Sequence, residues 1–107
     1  MNMQEFLFLL FQRLGVDYDP ALTPEQAINQ ISVLLQTQQA QPATIALTAI
    51  DHGLLASQEA DLGGRIIGTH GFKTFVGFLQ ARARAKADGA MYRQLGLSAE
   101  SVARYGH

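Results

Sequence analysis

Apolar residues recur at spacings of three and four along this chain, which is the pattern of amphipathic helices. Residues 4–15 (QEFLFLLFQRLG) carry a wide apolar stripe, and Gly15 is placed to end that helix. A second helix starts with Thr23 as its cap, Pro24 at its first position and Gln26 able to complete a capping box. The pattern predicts an N-terminal helix pair within residues 4–38.

The middle of the chain predicts further helices within residues 42–88. One runs from Pro42 to Gly53, and Ser57 is placed to cap the next one. The adjacent glycines at 63–64 weaken that helix by about 1 kcal/mol each relative to alanine, so we expect a bend or an end there. We expect Thr69 to cap a fifth helix with a phenylalanine-rich face.

Residues 90–106 predict two short helices joined by a turn. Asp88 with Gly89 breaks the preceding run and can cap the first of them, Gly96 ends it, and Ser98 caps the last helix. No stretch predicts a strand. The chain is therefore predicted to be all-α, a small bundle of about five to six short helices ending in a helix-turn-helix.

The composition is that of a globular or self-associating protein. Hydrophobic residues make up 48% of the 107 residues and charged residues 16%. The length suits one domain over residues 1–107. Cysteine is absent, which excludes a disulfide framework and a thiol nucleophile. No run reaches the roughly 20 apolar residues of a membrane-spanning helix, so we expect no membrane contact.

The charge is divided between the two ends. Residues 1–62 hold one base and seven acids, a net charge of −6, whereas residues 63–107 hold seven bases and two acids, a net charge of +5. This division suits pairing of copies, head to tail or antiparallel, or an acidic partner for the second half. An unevenly charged, solvated surface is the alternative interpretation.

The residues offer little for catalysis. His52, His70 and His107 are isolated from one another, and Ser57 lacks the context of an activated nucleophile. The glycine-rich stretch 63–68 follows no strand and does not match a phosphate-binding loop. We expect no enzyme activity, no cofactor and no metal site.

The basic second half raises the possibility of nucleic-acid binding, because its arginines can neutralise phosphates. The last helix, however, offers only Glu100, Ser101 and Arg104 as long or polar readers of bases. The sequence pI is about 6.2, which is below the usual range of DNA-binding domains. The sequence therefore disfavours nucleic acid, and a small helix-turn-helix regulator remains the first alternative function.

Three stretches, in this order, resemble a known family. They are EFLFLLFQRLGVDYDPALTPEQAINQISVLLQ, AIDHGLLASQEADLGGRIIGTHGFKTFVGFLQAR and AMYRQLGLSAESVARYG. Together they are similar to the C-terminal scaffolding region of Mu-like phage prohead proteases, which is also made as a separate scaffolding protein. The protease active site of that family belongs to a different, N-terminal domain, so the resemblance assigns no catalytic residue.

The resemblance implies a role in building a procapsid in the host cytoplasm. A scaffold of this kind associates with itself and with the major capsid protein, and it is later removed. By analogy with scaffolds, the closing helix-turn-helix binds the capsid protein through Arg93, Gln94, Leu95, Leu97, Val102, Arg104 and Tyr105. The first and fifth helices carry self-association through Phe6, Leu7, Leu10, Phe11, Phe72, Phe75 and Phe78, because residues 6–11 are expected to expose too much apolar surface for a monomer.

The chain departs from the family pattern at Tyr92, where the usual closing repeat has Cys or Ala before its arginine. It is also shorter and more apolar than many scaffolds. These departures leave a second alternative function, a phage-encoded inhibitor that binds a host defence protein.

Overall fold

Helices and turns make up the described part of the chain. A computed structural model describes residues 3–84 and 89–105, and these residues form no strand. The helices are α1 (Met3–Leu14), α2 (Pro24–Gln36), α3 (Pro42–Asp51), α4 (Ala60–His70), α5 (Phe72–Arg84), α6 (Gly89–Gln94) and α7 (Ala99–Tyr105), and one turn of 3₁₀-helix (Ser57–Glu59) precedes α4. The predicted all-α class is confirmed, with seven α-helices in the described residues in place of five to six.

The start of α2 has the predicted capping box. The Thr23 hydroxyl accepts a hydrogen bond from the Gln26 backbone N–H at 3.1 Å, and the Gln26 side-chain oxygen accepts one from the Thr23 N–H at 2.9 Å. Pro24 occupies the first helical position, where its missing N–H costs no hydrogen bond. Three local residues are therefore enough to define where α2 begins.

Two predicted helix starts in the middle of the chain are wrong. Ser57 begins the 3₁₀ turn and does not cap α4, which starts at Ala60 without a side-chain cap. Thr69 lies inside α4, because that helix continues through both glycines and ends only at Gly71, whose φ of +89° is left-handed. The predicted cap at Asp88 lies outside the described residues.

The core is formed by the apolar faces of α1 to α5 together with two side chains of the C-terminal segment. Its largest fully buried side chains include aromatic residues from α1, α5 and α6. The buried apolar set comprises Phe6, Leu7, Leu10, Phe11, Ala27, Ile31, Ala40, Ile45, Ala46, Ala49, Leu55, Leu62, Ile66, Ile67, Phe72, Phe75, Val76, Phe78, Leu79, Tyr92 and Leu97.

The prediction that residues 6–11 present an apolar surface to a second copy is wrong for most of that stretch. All seven side chains assigned to self-association are in the core of the single chain: Phe6, Leu7, Leu10, Phe11, Phe72, Phe75 and Phe78. The reason is that α1 packs on α2 and α3, and α5 packs on α2 and α4. Of residues 6–11, only Phe8 is exposed, while Leu9 is half-buried.

An exposed ion pair joins α1 to α3. The Arg13 guanidinium lies 2.7 Å from an Asp51 carboxylate oxygen, and it donates a hydrogen bond of 3.0 Å to the Thr48 hydroxyl. Thr48 is buried, and it donates in turn to the Thr44 carbonyl oxygen at 2.7 Å. Both charged partners are largely exposed, so the pair itself adds at most about 1 kcal/mol to stability.

Helix α4 packs closely on its neighbours α3 and α5 at Gly63. A methyl group added there would meet Leu55 Cδ2 at 2.9 Å, Ala46 Cβ at 3.2 Å and the Phe75 ring at 3.2 Å. At the neighbouring Gly64 it would meet nothing within 4 Å. The two glycines therefore have different roles, although they stand side by side in the sequence.

We expect Gly63→Ala and Gly64→Ala to change stability in opposite directions. Gly64→Ala should raise the free energy of unfolding by about 0.5–1 kcal/mol, because alanine is the better helix former. Gly63→Ala should lower it by about 1–2 kcal/mol, because overpacking at the α3–α4 contact outweighs that gain. Urea denaturation of both variants measures the difference, and equal stabilities would contradict the close packing.

Candidate protein interface at the C-terminal hairpin

Helices α6 and α7 form a hairpin whose turn follows the predicted chemistry. Gly96 has a φ of +73°, its N–H donates to the Arg93 carbonyl oxygen at 2.9 Å, and the Leu97 N–H donates to the Tyr92 carbonyl oxygen at 3.3 Å. These two bonds form a Schellman motif. The Ser98 hydroxyl accepts from the Ser101 N–H at 3.2 Å, which confirms the predicted cap of α7.

Tyr92 anchors the hairpin to the bundle. Its side chain is 0% exposed, and its ring lies edge-on to the Phe78 ring of α5 with 5.7 Å between centroids. Leu97, which follows the turn, is also buried. The hydrophobic pattern of the sequence did not mark Tyr92 as a docking residue. The Schellman signal could have done so, because the residue four before the turn glycine packs on the residue after it.

A buried polar cluster interacts with the Tyr92 hydroxyl. Glu59, at the end of the 3₁₀ turn, is 3% exposed and forms an ion pair with Arg82 in the last turn of α5. Both Glu59 carboxylate oxygens, Arg82 Nη1 and the Tyr92 hydroxyl oxygen are shielded from solvent. Three elements, the 3₁₀ turn before α4, the end of α5 and α6, therefore meet at one buried charge pair.

This environment changes how Tyr92 ionises. Burial is the main cause that raises the pKa of the Tyr92 hydroxyl above its ordinary value of 10.0, and the negative charge of Glu59 raises it further. The positive charge of Arg82 acts in the opposite direction. At neutral pH the tyrosine is therefore uncharged.

The predicted partner-binding residues divide into three groups. Arg93, Gln94 and Arg104 are exposed, whereas Leu97 is part of the core. The third group, Leu95, Val102 and Tyr105, is half-buried.

Helix α7 buries none of its residues fully. Arg104 lies over the Tyr105 ring at 5.9 Å, and a hydrogen bond to the Tyr105 hydroxyl raises the pKa of the Arg104 guanidinium. The outer side of the hairpin therefore combines permanent positive charge with partly covered apolar side chains.

The inner side of α6 lines a separate groove. Helix α6 presents Met91 on the same face as Gln94 and Leu95, because these two residues follow Met91 by three and four positions. Together with α5 they line a groove of about 310 Å³, and the α5 residues are Thr74, Gly77, Phe78 and Ala81. Gln94 and Leu95 therefore belong to the α5–α6 groove, whereas Val102, Arg104 and Tyr105 belong to α7.

Within residues 3–84 and 89–105, no three His, Asp or Glu side chains are grouped so as to hold a metal ion. No helix among these residues is long and apolar enough to cross a membrane. His52 and His70 lie at the ends of α3 and α4, and His107 is outside the described residues. No protein-family model, no curated protein and no solved structure matches this chain.

We expect the free energies of unfolding of Tyr92→Phe and the wild type to diverge as pH rises. At neutral pH these free energies should differ by about 1 kcal/mol or less, since a single uncharged hydroxyl is removed. A raised native pKa means that the unfolded tyrosine ionises first, so the wild type loses stability as pH rises above 10.0, and Tyr92→Phe lacks this loss.

Urea unfolding of both proteins from neutral pH to about pH 11 measures this gap. The expected result is that, above pH 10.0, the free energy of unfolding of the phenylalanine variant increasingly exceeds that of the wild type. A difference that stays constant over the whole range would mean that Tyr92 ionises equally easily in both states.

Proposed function

We propose that this chain is a non-enzymatic phage capsid-assembly protein that associates with itself and binds the major capsid protein. The observation that carries the proposal is the outer side of the hairpin. There α7 buries no residue, although Val102 and Tyr105 are apolar and Arg104 lies against the Tyr105 ring. Arginine and tyrosine are enriched at protein interfaces and among the residues that dominate binding energy.

The choice of the capsid protein as partner comes from the ordered resemblance of three stretches to the scaffolding region of Mu-like prohead proteases. In such scaffolds the closing helix-turn-helix is the capsid-binding element. On this chain the exposed charged members of the predicted set are Arg93 and Arg104, and the half-buried Val102 and Tyr105 lie on the same terminal helix as Arg104. We propose that these four residues contact the capsid protein in the host cytoplasm.

A protein partner suits the hairpin better than a nucleic acid does. The two helices are six and seven residues long, and α7 has Glu100 in its first turn. An acid at the leading end of a recognition helix would face the negative potential of the groove. The exposed charge of Arg104, by contrast, suits steering towards an acidic protein surface.

Point substitutions test the proposal better than removal of the hairpin, because Tyr92 and Leu97 are part of the core. Arg104→Glu should reduce incorporation into assembled shells by about tenfold or more, since reversing an interface charge adds repulsion to the lost contact. Lys73→Glu, on the exposed start of α5, makes the same charge change and should leave incorporation unchanged.

The measurement is co-expression with the major capsid protein encoded by the same genome, followed by sedimentation of the shells and quantification of bound scaffold. Equal incorporation of the two variants would show that Arg104 does not contribute to binding of the capsid protein. Absence of the wild-type chain from the shells would refute the capsid proposal. Binding of duplex DNA by the purified wild type, weakening steeply as salt rises, would favour the regulator alternative.

A further inference from the structure

One exposed aromatic side chain projects from α1. Phe8 is 48% exposed, and its ring stands edge-on to the Tyr18 ring at 5.6 Å. Tyr18 in turn packs on the buried Phe11 ring at 5.3 Å. Contact with Tyr18 therefore holds Phe8 in a fixed position at the surface, beside the half-buried Leu9.

Negative charge lies close to this side chain. Asp17 and Asp19 flank Tyr18 in the sequence, and both are exposed. Arg13, the one base among residues 1–62, is paired with Asp51. Two copies that met symmetrically through Phe8 would bring these acids together, which is repulsive. A positively charged apolar site is the better counterpart.

The groove between α5 and α6 has these properties. Its floor is formed by small and apolar residues, Gly77, Ala81, Met91 and Leu95 among them. Its volume of about 310 Å³ exceeds the roughly 150 Å³ that holds a benzene molecule in an engineered protein cavity. Arg84 is exposed on α5, three residues after Ala81, and residues 63–107 carry a net charge of +5.

We propose that copies of this chain associate head to tail, with Phe8 of one copy seated in the α5–α6 groove of the next. This inference deepens the self-association that the proposed function includes and does not depend on the capsid protein. Phe8 lies on α1, which packs on α2 and α3, whereas the groove belongs to α5 and α6. Each copy therefore offers both surfaces at once, and the contact is heterologous, which produces rings or open chains.

Two variants test the two sides of the contact separately. Phe8→Ser removes the exposed ring. Gly77→Leu fills the groove, and the fold should accept it because a Cβ at Gly77 meets no atom within 4 Å. Leu47→Ser is the matched control, since Leu47 is 51% exposed on α3 and belongs to neither surface.

Sedimentation velocity from micromolar to millimolar concentration, with circular dichroism to confirm folding, provides the readout on the purified chain alone. The wild type and Leu47→Ser should associate more as concentration rises. Phe8→Ser and Gly77→Leu should each weaken association by about tenfold or more. A monomeric wild type, or Phe8→Ser and Gly77→Leu variants that associate as the wild type does, would overturn the proposal.

A mixture of the two variants tests the head-to-tail arrangement. Phe8→Ser keeps an intact groove and Gly77→Leu keeps an intact Phe8, so the mixture should form a one-to-one dimer that cannot grow. Failure to form this dimer, while the wild type associates, would exclude the Phe8–groove contact. No capsid protein is present, so these results are separate from the failure or success of shell incorporation.

Discussion

The arrangement of the C-terminal half depends on one buried charge pair, Glu59 with Arg82, which interacts with the buried hydroxyl of Tyr92. A carboxylate that is almost fully removed from water is tolerated only next to a positive partner. The 3₁₀ turn before α4, the end of α5 and Tyr92 of α6 are therefore held in one relative position. The two surfaces of the hairpin, which are the outer side of α7 and the α5–α6 groove, depend on that position.

The charge pair contributes to specificity more than to net stability. Desolvating two charges offsets most of their attraction, whereas removing one partner of a buried pair costs about 3–5 kcal/mol. The favourable part of the hairpin's docking comes from apolar burial, namely Tyr92 against Phe78, and Leu97 in the core. Apolar contacts alone would allow α6 to shift along α5. The buried carboxylate and guanidinium restrict α6 to a few positions relative to α5.

Local sequence signals were sufficient for features that depend on neighbouring residues. The capping box at Thr23, the turn at Gly96 and the cap at Ser98 each involve residues at most five positions apart, and all three are present. The end of α4 was missed because Gly63 favours a break locally, but its missing side chain lets α4 approach α3. Tertiary packing therefore overrode the helix propensity.

Long-range features could not be predicted from the sequence, for a different reason. Periodicity indicates that Phe6 and Phe72 lie on buried faces, but it does not tell whether the covering surface belongs to the same chain or to another copy. In the structure, Phe6 and Phe72 are buried by other residues of the same chain, whereas Phe8 is exposed. The contact of Glu59 with Arg82 likewise joins residues far apart in sequence, and no local pattern marks it.

Hydrogen–deuterium exchange of the Glu59→Gln variant tests most directly whether the buried charge pair positions the hairpin. The substitution keeps the size of the side chain and leaves Arg82 without its charge partner. We expect the α6 and α7 amides to lose more protection than the amides of α1 to α3. Unchanged protection of the hairpin, or an equal loss along the whole chain, would contradict this expectation.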